Sequence, residues 1–563
     1  MMDFVLALHS HLPWVLNHGR WPHGSDWLCE AALDTYLPLI EQLRALEARR
    51  VPAPVTLGVT PVLANQLVSP TFVGELEAFF AQRLLACDEA PGSLASTGED
   101  HLVPLVEFWR ERLTRLRRLF HELGGDIVSA LRTLEERGRI ETITSAATHG
   151  FLPLLARDES VRLQLAVGRT EHRRLFGHLP QGIWAPECAY RPRGPWQPWK
   201  SAPRSGIRRG IEEHLGDAGF RFFFVDAHLA AAGRPLGIYG DPAASAVVQR
   251  AGDRTDGIGH RSPYLAYEVA PLRSEGIAAL VRDPRSSMQV WSRFQGYPGD
   301  GSYLEFHKMR WPGGLKLWRV TGGGVDLGQK DRYDPGAATA RAQEHAEHFA
   351  GLLAGIASSE RQRRGGVIVA PFDTELLGHW WFEGPEWLTG VYRSIAHEER
   401  GVRPVTASHH LAEYPASQPI AMPSGSWGAN GDFSMWLSEA TVWTWERLWA
   451  LEETFWDAAP AAIERPAARP VLAQAAREML LAQASDWQFI ISTGAAADYA
   501  ERRFRQHCDD AEALLAALAP GAEARLAQAQ ATAEALHRRD DLFPDILTAV
   551  AVAGRGSRAL AFG

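Results

Sequence analysis

Cysteine is scarce in this chain. Its 563 residues hold four, Cys29, Cys87, Cys188 and Cys508, scattered and with no C-x-x-C pair. That argues against a zinc ribbon or a disulfide framework and points to a reducing compartment. Long apolar runs are missing too, so no segment has the length needed to span a bilayer. The first residues, Met1-Met-Asp-Phe-Val-Leu-Ala-Leu-His9, have no basic n-region and no long apolar h-region. They read as a first strand and not as a signal peptide, and the expected location is cytoplasmic. Charge of one sign is also lacking: a net charge of −9 is small for this length and implies neither nucleic acid nor another polyanion as partner. There is no tandem repeat, and the Ala-rich stretch 511–536 is helical bias and not disorder.

What is present in excess is tryptophan, with 20 residues. The indole is costly to expose, and its flat amphipathic face stacks on the apolar faces of sugars. Filling a large core is the ordinary explanation and is expected to account for more than half of them; Trp443 and Trp445 are assigned to it. At this length two or three domains are expected.

Short apolar runs recur along the first 400 residues, each leading into polar residues. They are Phe4–Leu8 before His9 and His11, Val55–Val59 before Thr60, Ile140–Ala146 before His149, Gly182–Trp184 before Glu187, Phe222–Val225 before Asp226, and Gly366–Ala370 before Asp373. Longer amphipathic stretches separate them, which is the βα alternation of a parallel barrel. The clearest helix carries Leu102, Leu105, Val106, Trp109, Leu113, Leu116 and Phe120 as one apolar stripe. Residues 72–138 are longer than a normal crossover and read as a helical insertion. Gly233–Pro263, rich in Gly, Ala, Pro and Asp, reads as a long mobile loop. After about residue 405 the strand rhythm stops, and from Trp436 onward the pattern is that of a helical bundle.

Two carboxylates stand out. Glu187 in Trp184-Ala-Pro-Glu-Cys-Ala-Tyr190 and Asp373 in Pro371-Phe-Asp-Thr-Glu-Leu-Leu-Gly-His-Trp-Trp381 each follow a strand-like run, where α/β barrels carry their chemistry. Two such groups in an aromatic, water-poor cleft are the minimal equipment of a retaining glycosidase. Asp373, beside Phe372, Leu376, Trp380 and Trp381, is expected to favour its neutral form. Glu187 needs hydrogen-bond donors, which His9 or His11 is expected to supply. His9 and His11, two apart on a strand, point the same way and suit either sugar-hydroxyl contacts or metal ligation.

These segments, taken together, resemble a known family. His9-Ser-His-Leu-Pro-Trp14, Gly58-Val-Thr-Pro61, Trp184–Tyr190, Phe372–Trp381 and Ser426-Trp-Gly428 through Trp436 resemble the five ordered sequence regions of glycoside hydrolase family 57. Gly19-Arg-Trp-Pro22, Thr148-His-Gly150, Ser287–Ser292, Gly296–Asp300 and Ser485-Asp-Trp-Gln-Phe489 are similar to its 1,4-α-glucan branching enzyme subgroup. The resemblance implies an α/β fold, a distorted (β/α)7 barrel over 1–405 with a helical domain inserted at 72–138 and a lid loop at 230–265. A C-terminal α-helical domain follows at 406–563. It implies Glu187 as nucleophile and Asp373 as general acid/base, with no metal and no other cofactor.

By the same resemblance the substrate-binding residues are His9, His11, Trp27, His149, Trp184, Arg282, Trp291, His379, Trp427, Trp436 and Asp486. Trp291 falls on the acceptor side, and Trp427, Trp436 and Asp486 reach over the barrel mouth from the C-terminal part. A lid tyrosine is also implied, with Tyr239, Tyr264 and Tyr267 all candidates. Residues 230–262 are extra relative to the subgroup, and Gly428-Ala-Asn lacks the acidic residue often found directly after Ser-Trp-Gly. The expected partner is an α-1,4-glucan as both donor and acceptor, acted on by a monomer, without nucleic acid or membrane. A mainly hydrolytic α-amylase or a 4-α-glucanotransferase is the nearest alternative. A metal-dependent polysaccharide deacetylase is more remote, since the 21 histidines include no H-x-x-x-H pair. A non-catalytic glucan-binding scaffold is disfavoured by the presence of both carboxylates.

Overall fold

Every apolar run named above forms a strand in the computed structural model, which describes residues 1–203, 205–230, 261–269, 276–292, 296–360, 364–397 and 400–556. The strands are β1 (Met2–Ser10), β2 (Val55–Val59), β3 (Ile140–Ser145), β4 (Gly182–Trp184), β5 (Gly194–Trp196), β6 (Ser205–Arg208), β7 (Phe222–Val225), β8 (Ala266–Val269), β9 (Ile277–Val281), β10 (Val367–Asp373), β11 (Val402–Pro404) and β12 (Gln418–Pro419). Seven of them pair in the order β10-β1-β2-β3-β4-β7-β9, all parallel. A parallel bridge between Arg282 and Val369, with the Asp283 N–H donating to the Val369 carbonyl at 2.8 Å, brings the end of β9 back to β10. The result is a distorted (β/α)7 barrel. All nine residues of β1 are buried, as parallel strands covered on both faces must be.

Strand β9 is the seventh parallel member, and the sequence gave no clear sign of it. Ile-Ala-Ala-Leu-Val is short and half alanine, with little β-branched character to set it apart from helix. Its neighbour β8 pairs with it antiparallel and covers the segment expected to end the lid. Most of the expected lid, including Tyr239, lies outside the described residues.

Between β2 and β3 run the helices Pro70–Ser96, Val103–Glu122 and Ile127–Glu136. The apolar stripe of the second is buried. From Val442 the chain is helical to Gly554, over six helices: Val442–Ile463, Arg469–Ala482, Asp486–Thr493, Ala497–Ala516, Glu523–Arg539 and Ile546–Gly554. The C-terminal helices pack directly on the barrel. The helix Ile546–Gly554 lies on Asp158–Phe176, and Trp449 and Trp456 donate to Leu154 and Ser160. Eleven of the twenty tryptophans are buried, so core filling accounts for most of them. Among the described residues no helix is long and apolar enough to cross a membrane.

Candidate active site

Glu187 follows the short strand β4 on a tight turn. Its φ is 59° and that of Cys188 is 47°, left-handed values that non-glycine residues adopt at a cost of about 1–3 kcal/mol each. Neighbouring backbone fixes this turn. Tyr190 pairs with Gly425, and the Trp427 N–H donates to the Glu187 carbonyl at 3.0 Å. The segment around Trp427 is thereby tied to the carboxylate it faces. Trp427 Nε1 donates to Glu187 Oε2 at 2.8 Å, and Ser485 Oγ donates to Oε1 at 3.3 Å. Burial raises the Glu187 pKa to about 7, against the pull of the Trp427 bond and with a further push from Asp486.

The donors expected from His9 and His11 are thus supplied by other residues. His9 Nε2 shares a 3.0 Å hydrogen bond with His149 Nε2, and its ring stacks on Trp184 at 4.7 Å. His11 bonds Thr60 and, through Nε2, Asp486 at 2.9 Å. Because the chain leaves β1 after Ser10, His11 turns toward the C-terminal helices and away from the strand register. His149, also left-handed at φ 59°, binds Ser485 Oγ at 2.9 Å and comes within 3.8 Å of Glu187. Burial, then the neighbouring His11, lowers the pKa of both His9 and His149, keeping the rings neutral.

Asp373 ends β10, in register with His9 on β1. Its pKa stands well above the carboxylate range, first through burial, then through the charges of Glu375 and Glu187, with Arg282 opposing. Of the expected apolar cover, Trp380 is 52% exposed and Trp381 packs in the core on Trp387, so like charge contributes what those indoles do not. Glu375, absent from the sequence-based set, accepts from Tyr36 Oη at 2.5 Å and from the His11 N–H at 3.2 Å. Burial raises it to about 7. Its position two residues after Asp373, where alternate residues share a face, was the available signal. Ser485, beside Asp486, was likewise missed.

Arg282 closes the other side. Its guanidinium lies 5.5 Å from the Trp427 ring and 5.8 Å from Trp291, donates to Ser287 Oγ at 2.9 Å, and is 3.9 Å from the buried Asp226. Trp291 meets Trp427 edge-on at 5.9 Å. The structure therefore brings together Glu187, Asp373, His9, His11, His149, Trp184, Arg282, Trp291, Trp427 and Asp486.

Other expected site residues lie elsewhere. Trp436 is 1% exposed and packs on Phe151 at 4.7 Å, so it is core and not a groove wall. Trp184 is fully buried and acts as a floor beneath His9 and Trp427. His379 is buried against Phe306 and Trp380, and Trp27 is a half-buried helix residue whose ring meets His23. Tyr264 and Tyr267 are buried at and beside β8, where Tyr267 Oη donates to the Ser262 carbonyl at 2.8 Å. Strand pairing holds them, so neither serves as a mobile lid tyrosine.

Among the described residues two clusters hold three metal-type donor atoms within 4.8 Å: His11, His149 and Asp486, and Glu478, His507 and Asp540. In the first the donors already satisfy one another and Ser485. In the second, Arg539 bonds both Glu478 and Asp540 and occupies the place of a cation.

A buried pair of carboxyls at the C-terminal mouth of a parallel barrel, one fed by donors and one held neutral, defines a carbohydrate-cleaving class of site. The chain belongs to glycosyl hydrolase family 57, whose sequence profile it matches over residues 5–423; residues 448–550 match the 1,4-alpha-glucan branching enzyme C-terminal profile. It is 39% identical over 514 residues to the 1,4-alpha-glucan branching enzyme TK1436 of Thermococcus kodakarensis, covering 90% of this chain and 72% of that protein. The crystal structure of TK1436 superposes with a TM-score of 0.86 at 36% identity, covering 97% of this chain and 95% of that one. The "Probable 1,4-alpha-glucan branching enzyme Rv3031" of Mycobacterium tuberculosis is 32% identical over 574 residues, 96% of each chain. The alpha-amylase AmyC of Thermotoga maritima superposes with a TM-score of 0.78 at 27% identity, covering 100% of this chain and 99% of that one.

Proposed function

We propose that this chain is a retaining 1,4-α-glucan branching enzyme, with Glu187 as nucleophile and Asp373 as general acid/base. The observation that carries the reading is the opposite treatment of two buried carboxyls. Glu187 receives hydrogen bonds from Trp427 and Ser485, while Asp373 lies among like charges that hold its proton. In the first step Glu187 attacks the anomeric carbon as Asp373 protonates the departing 4-oxygen. In the second, Asp373 takes the proton of an incoming hydroxyl, which displaces Glu187 with overall retention. When that hydroxyl is the 6-OH of another glucan, the product is an α-1,6 branch; when it is water, the product is a new reducing end.

The neutral His9–His149 pair and the His11–Asp486 pair present donors and acceptors to sugar hydroxyls beside Glu187. Trp291 and Trp427, at right angles beside Arg282, form the aromatic wall on which an acceptor chain would lie and which keeps water off the ester. The likeness to AmyC favours a second reading of the same site, mainly hydrolytic. One experiment separates them: counting reducing ends on amylose before and after isoamylase. Branching predicts few new ends until the debranching enzyme is added; hydrolysis predicts them from the start, with none added by isoamylase.

A further inference from the structure

Among the described residues eight large apolar side chains are exposed, and three of these are tryptophans: Trp21 at 68%, Trp311 at 59% and Trp380 at 52%. Trp21 and Trp311 touch each other, with ring centroids 5.9 Å apart and planes at 83°. Scattered exposed apolar residues are ordinary, but two adjoining, mostly exposed indoles flanked by the exposed Pro22 and Pro312 are not.

Neither ring is held by its own burial; the backbone on either side holds it out. The Trp21 loop is closed by the Gly24 N–H to the Arg20 carbonyl and the Ser25 N–H to the Gly19 carbonyl, both at 3.0 Å, and by Arg20 on Asp26 at 2.9 Å. Trp311 sits at a hairpin tip where Arg310 pairs with Leu315. Arg310 also binds Glu99 at 2.7 Å and Ser93 Oγ at 2.9 Å, and Arg83 donates to the Gly313 carbonyl. Two rigid tips from distant parts of the chain therefore present two flat apolar faces inside a rim of ion pairs and hydroxyls.

The pair is continuous with the barrel mouth. Trp380 lies on the turn after Asp373, its N–H donating to the Glu375 carbonyl at 3.1 Å, and its ring packs on Phe306 at 4.8 Å. Phe306 is on the same excursion as Trp311, five residues earlier, so the two are at most about 18 Å apart along the backbone. That distance is a few sugar residues.

We infer that Trp21 and Trp311 form an outer glucan-binding platform, which holds a long α-1,4-glucan beyond the reaction centre and gives the enzyme its preference for long chains. This rests on the α-glucan reading above. The corner between perpendicular rings suits a narrow, flexible ribbon that stacks sugar faces and bonds the polar rim. It is too small for a stable protein interface.

The test compares wild type with Trp21→Ala, Trp311→Ala and the double variant. Measurements are electrophoretic retardation in amylose gels, KM and kcat on amylose, kcat on a short aryl maltooligosaccharide, and the mass of the protein in solution. The platform predicts weaker retardation and a KM for amylose raised about two- to tenfold per ring. It also predicts an unchanged kcat on the short substrate and rescue by Trp→Phe. Wild-type retardation and KM in the double variant would overturn it. So would an equal loss on short and long substrates, which places the rings in the central cleft, or a change in mass, which makes the patch a contact between copies. If wild type itself neither binds nor cleaves any α-glucan, the functional reading fails first.

Discussion

Trp427 donates its indole N–H to Oε2 of Glu187 at 2.8 Å, joining residues 240 positions apart in the chain. The bond stabilises the ionised carboxylate, so it counters the burial that raises the Glu187 pKa to about 7. Removing it in Trp427→Phe raises that pKa further. Attack requires the ionised form, so the acid limb of the kcat/KM profile is expected to move to higher pH, with kcat/KM at pH 6 falling more than at pH 8. An acid limb that stays in place or moves down would remove Trp427 from this role.

The other limb belongs to Asp373, which must keep its proton to release the leaving oxygen. The negative charge of Glu375 is the largest electrostatic contribution holding Asp373 high. Glu375→Gln deletes that charge while leaving an oxygen to accept from Tyr36 and His11. The expected result is an alkaline limb shifted to lower pH, read in the same profile. Because the carboxyls titrate as a coupled set, the limbs report the set and not one residue.

Trp291 stands edge-on to Trp427 and beneath Arg282. Trp291→Ala opens that wall to water without touching either carboxylate. The ratio of hydrolysis to branching is expected to rise, measured as reducing ends per isoamylase-releasable chain, while the rate of cleavage changes less. An unchanged ratio would mean the acceptor is held elsewhere.

One prediction concerns stability. Arg539 bonds Glu478 at 3.3 Å, Asp510 at 2.8 Å and Asp540 at 2.6 Å, and Asp540 in turn binds His18 of the barrel at 2.7 Å. Glu478 and Asp540 have fully buried side chains, so Arg539→Ala leaves buried carboxyls without their cation. A loss of about 3–5 kcal/mol is expected in denaturant unfolding. Arg539→Lys should recover part of it. A loss below about 1 kcal/mol would show that the cluster relaxes or takes up protons without cost.

The sequence made some of this plain and hid the rest, for physical reasons. Six of the seven parallel strands were visible because each is an apolar run ending in polar residues, as the mouth of a barrel requires. β9 was hidden because an alanine-rich run carries no strand signature. The two carboxylates were legible from their setting. Their tuning was not, because it depends on residues that meet only after folding: Trp427 and Ser485 on Glu187, Glu375 and Glu187 on Asp373. Trp436 was misplaced for a related reason. An indole near a conserved-looking motif suits a groove or a core equally well, and only packing on Phe151 decides. The exposure of Trp21 and Trp311 was similarly invisible, since nothing in a Trp-Pro pair says which way the ring faces.

The most direct measurement of the central assignment is to trap the covalent intermediate. Incubating the Asp373→Asn variant with a 2-deoxy-2-fluoro α-maltosyl fluoride supplies a leaving group that needs no proton and an ester slow to turn over. Mass spectrometry of the digested protein is expected to find the glycosyl ester on the peptide containing Glu187, and no adduct when Glu187→Gln is added. An ester on any other residue would contradict the account.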